Sequence, residues 1–236
     1  MILLPANPGK KIEIATSQGI FQRFPVKTHV ITANDNISEI VQKYVSPHWQ
    51  PQDLLFISER IVAISQGRAF RISDIKPSGL AKFLTKFVHK SPYGIGLGSP
   101  WTMQLALEEA GTARILLAAA VAALTKPFGL RGVFYHVAGK NINAIDGPCD
   151  YTLPPYNQYA KLGPKNADSV AKQIASQFGL KTAIIDANDL GLKILGKSDK
   201  SFDNKLCVEI FRDNPLGQAS EQTPICLVRL LTSYKT

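Results

Sequence analysis

The sequence predicts an α+β fold, with mixed β-sheets carrying flanking helices. Three observations lead there. Short apolar, β-branched runs and capped helical segments both recur, yet they lack the regular strand–helix–strand rhythm of a doubly wound sheet. Hydrophobic residues make up 45% and charged residues 19% of the 236, enough for one large domain or two interlocked lobes divided near residue 140. No internal repeat, low-complexity tract or Gly/Ser linker interrupts the pattern.

The elements follow in order. Lys11–Thr16 and Phe21–Val26 read as strands. Asn36 caps a helix over Ile37–Tyr44, and Glu39 completes a capping-box pattern. Pro51–Asp53 turns the chain into a short buried strand, Leu54–Ile57. Ser58 then caps a helix, Glu59–Ser65, that stops at Gly67. Ser78–His89 reads as an amphipathic helix. Ser99 at the cap and Pro100 at the first helical position start another, running to about Ala110. A turn at Gly111 leads into an alanine-rich helix from Thr112, ended by Pro127 and Gly129. Its apolar run, Ile115–Leu124, falls short of the roughly 20 residues that cross a bilayer. It is expected to be buried on nearly all sides.

Gly132–Val137 reads as a strand, with His136 packed inside it. Asn166 caps a helix over Ala167–Phe178, closed by Gly179. Further strands are expected at Thr182–Ile185, Leu206–Ile210 and Ile225–Leu230.

The net charge of +9 is spread from Lys10 to Lys235 without a basic run. That argues against a nucleic-acid partner and suits attraction of small anionic ligands. Cys149, Cys207 and Cys226 lie far apart, which fits a reducing, cytoplasmic setting rather than a disulfide framework. The first residues carry a short apolar run ahead of Lys10 and Lys11, the reverse of a secretory signal, so neither export nor membrane anchoring is expected. His29, His48, His89 and His136 share no metal spacing, and no nucleophile elbow, triad or zinc motif is present.

Three segments are candidates for chemistry. The loop Gly94–Gly98 opens a helix, where backbone N–H groups attract anions. Its spacing matches neither the dinucleotide fingerprint nor the Walker loop, so a plain connector is the preferred reading. Asp186-Ala187-Asn188-Asp189 leaves an apolar strand with three oxygen-bearing side chains in four residues. Hard divalent ions take such oxygens, although an Asx turn uses the same residues. The run Asn141 to Asp150 reads as a strand-like piece spilling into a polar turn. There Asp146 is a candidate to meet Asp189 across the sheet rim and share a metal, although taken alone it reads as a turn residue. Lys126 and Arg131 flank a turn and read as solvated.

Taken together these segments resemble one family. Leu54-Leu55-Phe56-Ile57-Ser58-Glu59 through Gly67-Arg68 is similar to its strand, helix and terminal Gly-Arg. Phe24-Pro25-Val26-Lys27 resembles its nucleotide-contacting segment. Asn143-Ala144-Ile145-Asp146 resembles the stretch ending in its metal aspartate, and Ile184 to Gly191 its second acidic motif. Gly217-Gln218-Ala219 and Pro224 to Arg229 resemble its closing loop and strand. The family is coenzyme F420-0:L-glutamate ligase.

The resemblance implies a γ-glutamyl-ligase-like α+β fold working as an intertwined homodimer. It implies an amide ligase that takes GTP, L-glutamate and an anionic small-molecule acceptor, with magnesium or manganese. Asp146 would be the first metal ligand, with Asp186, Asn188 and Asp189 forming the second group. Phe24, Pro25, Val26, Lys27, Ser58, Glu59, Gly217 and Gln218 would border the nucleotide. No catalytic acid or base is assigned. Three positions depart from the family pattern: Gly147-Pro148-Cys149 follows the first aspartate, Asn188 stands where members place an aspartate, and Ile64 replaces a common lysine. These departures keep two other readings open, a divergent ligase for another carboxylate and a non-catalytic nucleotide-binding protein.

Overall fold

The computed structural model describes residues 4–88, 95–130, 132–139, 141–189 and 191–234. Strands β1 (Glu13–Ala15) and β2 (Gly19–Val26) precede helix α1 (Ile37–Tyr44), strand β3 (Leu54–Ser58) and helix α2 (Glu59–Ser65). Next come β4 (Ala69–Arg71), α3 (Gly79–Leu84), α4 (Pro100–Ala110), α5 (Thr112–Thr125), α6 (Val133–Ala138) and β5 (Tyr159–Lys161). The chain then runs through α7 (Ala167–Phe178), β6 (Lys181–Asn188), β7 (Gly191–Lys197), α8 (Asn204–Ile210) and β8 (Ile225–Ser233). It divides into two compact units, Met1–Gln66 with Asn166–Thr236, and Gly67–Lys165 between them in sequence. The division falls beside residues 66 and 165.

The first unit is built on a mixed six-stranded sheet of order β1-β2-β8-β3-β6-β7. Neighbours run antiparallel except β3 and β6, which are parallel. Parallel pairing needs a crossover, and here the crossover contains α2, the whole second unit and α7. On one sheet face Phe56 packs against Phe211 and Phe202, with ring centroids 4.7 and 5.8 Å apart. Cys207, Ile210, Cys226 and Val228 complete that core. Helix α7 lies on β6 and β7, and Gly196 permits the approach. A Cβ there would stand 2.2 Å from the Ala167 carbonyl carbon.

Two arginines, one half-buried and one fully buried, stitch the sheet. Arg229 grips Asp53 through Nε and Nη2 at 2.8 and 2.7 Å. Arg23 is fully buried; it donates to Asp213 and to the carbonyls of Ile210 and Lys11.

The second unit pairs β4 with β5 in a small antiparallel sheet and packs α3, α4, α5 and α6 around Met103, Leu105, Leu107, Ile115 and Ile142. At the start of α4, Ser99 and Thr102 form a reciprocal capping box.

Several expectations are corrected. Gly132–Val137 is not a strand: α6 occupies Val133–Ala138, because Phe134 and Val137, three apart, turn the same helical face to the core. His136 is exposed on that helix rather than packed in a strand. Leu206–Ile210 belongs to α8, since Asp203 caps it through the Lys205 and Leu206 N–H groups and only Cys207 and Ile210 are fully buried. The run Ile115–Leu124 is not buried all round. Only Ile115 and Ala118 of α5 are buried, and Leu116, Leu117 and Leu124 are 43%, 57% and 72% exposed. One helix face meets the core; alanine content alone could not tell one face from four.

The Ser78 helix stops at Leu84 and tightens to a 3-10 turn over Thr85–Phe87, while His89 lies outside the described residues. Asn36 caps α1 through the Ser38 N–H. Asn166 takes a left-handed conformation and makes no side-chain cap bond. The strand-like piece before Asp146 is instead a 3-10 turn over Ile142–Ala144. The strand Thr182–Ile185 extends as β6 to Asn188, because β7 pairs with it and supplies the missing ladder.

Candidate functional site

Within the first unit, three chain segments converge near the end of β6. At the β3–α2 junction, Ser58 caps α2 through the Arg60 N–H, and its own N–H donates to the Pro224 carbonyl at 2.8 Å. Glu59, the first residue of α2, is 5% exposed. In β6, Asp186 and Asn188 are two residues apart and share one sheet face. Asp186 stands opposite Lys193 of β7. Desolvation lowers the Lys193 pKa, and the carboxylates of Asp186 and Glu59 oppose that shift.

Asp189 sits in the turn after β6 with its side chain 65% exposed. Its N–H donates to Gln218 Oε1 at 2.9 Å, and its Oδ1 lies 3.9 Å from Lys10 Nζ. Asn214 is fully buried behind this turn in a left-handed conformation, φ 46°. Its Nδ2 donates to the Gly217 carbonyl at 3.0 Å and stands 3.5 Å from Asp189 Oδ1. Its Oδ1 has no hydrogen-bond partner among the described residues. A buried acceptor without a donor is costly unless something positive satisfies it. Gly217 has φ +76°, and a Cβ there would stand 2.4 Å from the Glu221 carboxyl carbon, so this loop shape depends on glycine.

Other expected site residues fall elsewhere. Phe24, Pro25 and Val26 are buried in β2, paired with Leu227, Cys226 and Ile225, and Lys27 alone of that segment is exposed. Asp146 belongs to the second unit. There it exchanges backbone hydrogen bonds with Lys161 at 3.0 and 2.9 Å, and its Oδ1 accepts from the Gly147 N–H at 2.9 Å. Asp186, Asn188 and Asp189 belong to the first unit. Asp186 and Asn188 lie in the strand itself, not in a turn beyond it. Of the Gly94–Gly98 loop, Gly94 is outside the described residues, and the Gly98 N–H closes a turn on the Ile95 carbonyl at 2.7 Å.

Three residues escaped the sequence reading: Lys10, Lys193 and Asn214. Asn214-Pro215 ahead of Gly217 was a legible turn signal. Lys193 was not legible, because its partner is chosen by strand register.

Among the described residues no group of three or more His, Cys, Asp or Glu side chains is gathered for a metal. The donor set is nonetheless of the right kind for magnesium or manganese. Asp186, Asn188 and Asp189 offer hard oxygens, and the Asn214 Oδ1 is an acceptor awaiting a partner.

Fold and rim define a class: an α+β protein whose central sheet ends in oxygen donors and lysines, suited to charged ligands. The F420-0:Gamma-glutamyl ligase family model matches residues 25–187, well over half of the chain, and the chain belongs to that family. The family is thus one of amide-forming ligases. The matched span includes Ser58, Glu59, Asp146 and Asp186 and stops short of Asn188, Asp189, Gly217 and Gln218. No curated protein matches the chain. Among the described residues no helix is long and apolar enough to cross a membrane.

Proposed function

We propose that the protein is a GTP- and divalent-metal-dependent ligase that joins L-glutamate to a substrate carboxylate, as in the tail of coenzyme F420. The observation that carries the reading is the hydrogen bond from the Asp189 N–H to Gln218, which joins the acidic segment to the closing loop. Family membership supplies the reaction class.

In this reaction the acceptor carboxylate attacks the γ-phosphorus of GTP, GDP leaves, and the glutamate amine then displaces phosphate from the acyl phosphate. A bound magnesium or manganese ion would offset the negative charge where triphosphate meets carboxylate. Asp186, Asn188, Asp189 and the Asn214 Oδ1 are the oxygens proposed to hold it, and Asp146 is a candidate on its family position. Lys10, Lys27 and Lys193 supply positive charge for phosphate oxygens. Ser58 and Glu59 orient the β3–α2 junction proposed to border the nucleotide. Such a co-substrate places the reaction in the cytoplasm.

The exposed apolar face of α5 supports a homodimer. No charged residue lies between Arg114 and Lys126, and Leu116, Leu117 and Leu124 continue into exposed Phe128 and Leu130. A contiguous apolar surface of this kind suits a second copy. A second reading, a divergent ligase for another carboxylate, is favoured by Lys193 opposing Asp186 and by Asn188 standing where the family resemblance expects an aspartate.

The test is thermal unfolding with GTP, with manganese, and with both. A ligand that binds the native state raises the melting temperature by mass action. The ligase reading expects a rise with GTP only when the metal is present. An unchanged melting temperature at millimolar concentrations of both overturns it.

A further inference from the structure

Helix α3 and the 3-10 turn that follows it present an outer face that water alone does not account for. The segment packs inward through Leu80, Ala81, Leu84 and Val88, which join the core of the second unit. It is held firmly. Ser78 caps the helix through the Ala81 N–H, the Ser78 N–H donates to Gln104 Oε1 at 3.0 Å, and the Thr85 hydroxyl donates to the Lys82 carbonyl at 2.9 Å. Lys82, Phe83, Lys86 and Phe87 remain outside. Phe83 is 54% and Phe87 71% exposed, and their ring centroids stand 5.1 Å apart. Each residue type repeats four positions on, so a pair of phenylalanines lies beside a pair of lysines.

The charge of the chain is gathered on the same unit. Gly67–Lys165 holds twelve Lys and Arg against five Asp and Glu, which is seven of the nine net positive charges. Between Glu59 and Glu108 the single acidic residue is Asp74, whereas Arg71, Lys76, Lys82 and Lys86 are all exposed in that stretch.

A partner for this face must accept apolar rings and carry negative charge beside them. The surface of a bilayer with anionic lipid offers both, hydrocarbon beneath a layer of phosphate. Single-stranded nucleic acid would need ring faces free for stacking, and these two rings are set edge to face at 65°. We propose that the second unit docks on an anionic lipid bilayer, with Phe83 and Phe87 entering the boundary between headgroups and acyl chains and Lys82 and Lys86 resting on lipid phosphates. The net charge of the unit adds a longer-range attraction. This is docking on a surface and needs no spanning segment. It stands apart from the ligase reading and uses a different element from the α5 face.

The experiment is flotation of the full chain with vesicles of phosphatidylcholine alone and of phosphatidylcholine mixed with phosphatidylglycerol. Wild type is expected to bind the mixed vesicles at least about tenfold more tightly than the neutral ones, and to be released by about 0.5 M salt. Phe83→Ser with Phe87→Ser, and Lys82→Glu with Lys86→Glu, should each weaken binding about tenfold or more. All four side chains are exposed, so the melting temperature should hold. Lys172→Glu with Lys200→Glu makes the same charge change at exposed positions of the first unit and should bind as wild type. No binding of wild type to the mixed vesicles, equal binding to both kinds, or equal binding by wild type and the phenylalanine variant overturns the proposal. So does an equal loss in the first-unit control, which would mean that charge anywhere on the chain suffices. Light scattering without lipid and titration with a mixed-sequence oligonucleotide cover the other occupants. A wild-type dimer lost in the phenylalanine variant assigns the face to a second copy, and oligonucleotide binding lost in both α3 variants assigns it to nucleic acid; either result overturns the lipid proposal.

Discussion

The Asp189 N–H donates to Gln218 Oε1 at 2.9 Å, tying the turn after β6 to a loop 29 residues further along the chain. The buried Asn214 side chain lies behind both, bonded to Gly217 and bordering Asp189. Neither segment is a site alone; the bond gives the rim its shape.

Gln218→Ala should therefore separate ligand binding from folding. Gln218 is exposed, so the unliganded melting temperature should change little, within about 0.5 kcal/mol of stability. The stabilisation by GTP with manganese should fall sharply. Thermal unfolding with and without the ligands reads both, and full ligand stabilisation in the variant would remove Gln218 from the site.

Asp53→Ala should be among the most damaging single substitutions. Asp53 is 1% exposed at its side chain and holds Arg229 bidentately, so its loss strands a guanidinium that is 16% exposed. The expected cost is about 3–5 kcal/mol, measured by denaturant unfolding. A cost below about 1 kcal/mol would show that water or a new partner takes over the guanidinium.

Asp213 predicts an acid-sensitive step. Burial pushes its pKa up, but the Arg23 guanidinium outweighs burial and holds the carboxyl below its usual range. A depressed carboxylate adds stability that is present above its unfolded pKa near 3.8 and is lost as pH falls through the lower folded value. Asp213→Asn should lose about 2 kcal/mol at neutral pH, less than a fully buried pair because Asp213 is 38% exposed. The gap between wild type and variant should close below the unfolded pKa. A gap independent of pH would assign the loss to packing rather than charge.

Leu117→Glu and Leu124→Glu test the apolar face of α5. Both leucines are more than half exposed, at 57% and 72%, so the fold should tolerate the change. Light scattering should show the wild type as a dimer and the variants as monomers. A wild type that remains monomeric at micromolar concentration would end the homodimer proposal.

What could be read from the sequence was local. Asn36, Ser58, Ser78, Ser99 and Gly111 mark helix boundaries that the structure keeps, because a cap is decided by a few neighbouring backbone groups. The apolar runs of β3 and β8 were legible for the same reason. At the site, Ser58, Glu59 and the acidic run at Asp186–Asp189 were visible as residue types, and the family resemblance placed them in order.

Partner choice was not legible. Gly191–Lys197 carries no strand signal strong enough to announce β7, yet β7 extends β6 through Asn188 and sets Lys193 against Asp186. Leu206–Ile210 and Gly132–Val137 are apolar enough for strands and became helices because their buried residues recur every three positions. The sequence by itself determined where helices are capped and which segments are apolar, since those depend on contacts within a few residues. Only the tertiary structure decided strand register, the exposed side of α5 and the seating of Asn214 behind Asp189, since each depends on surfaces that folding brings together from distant parts of the chain.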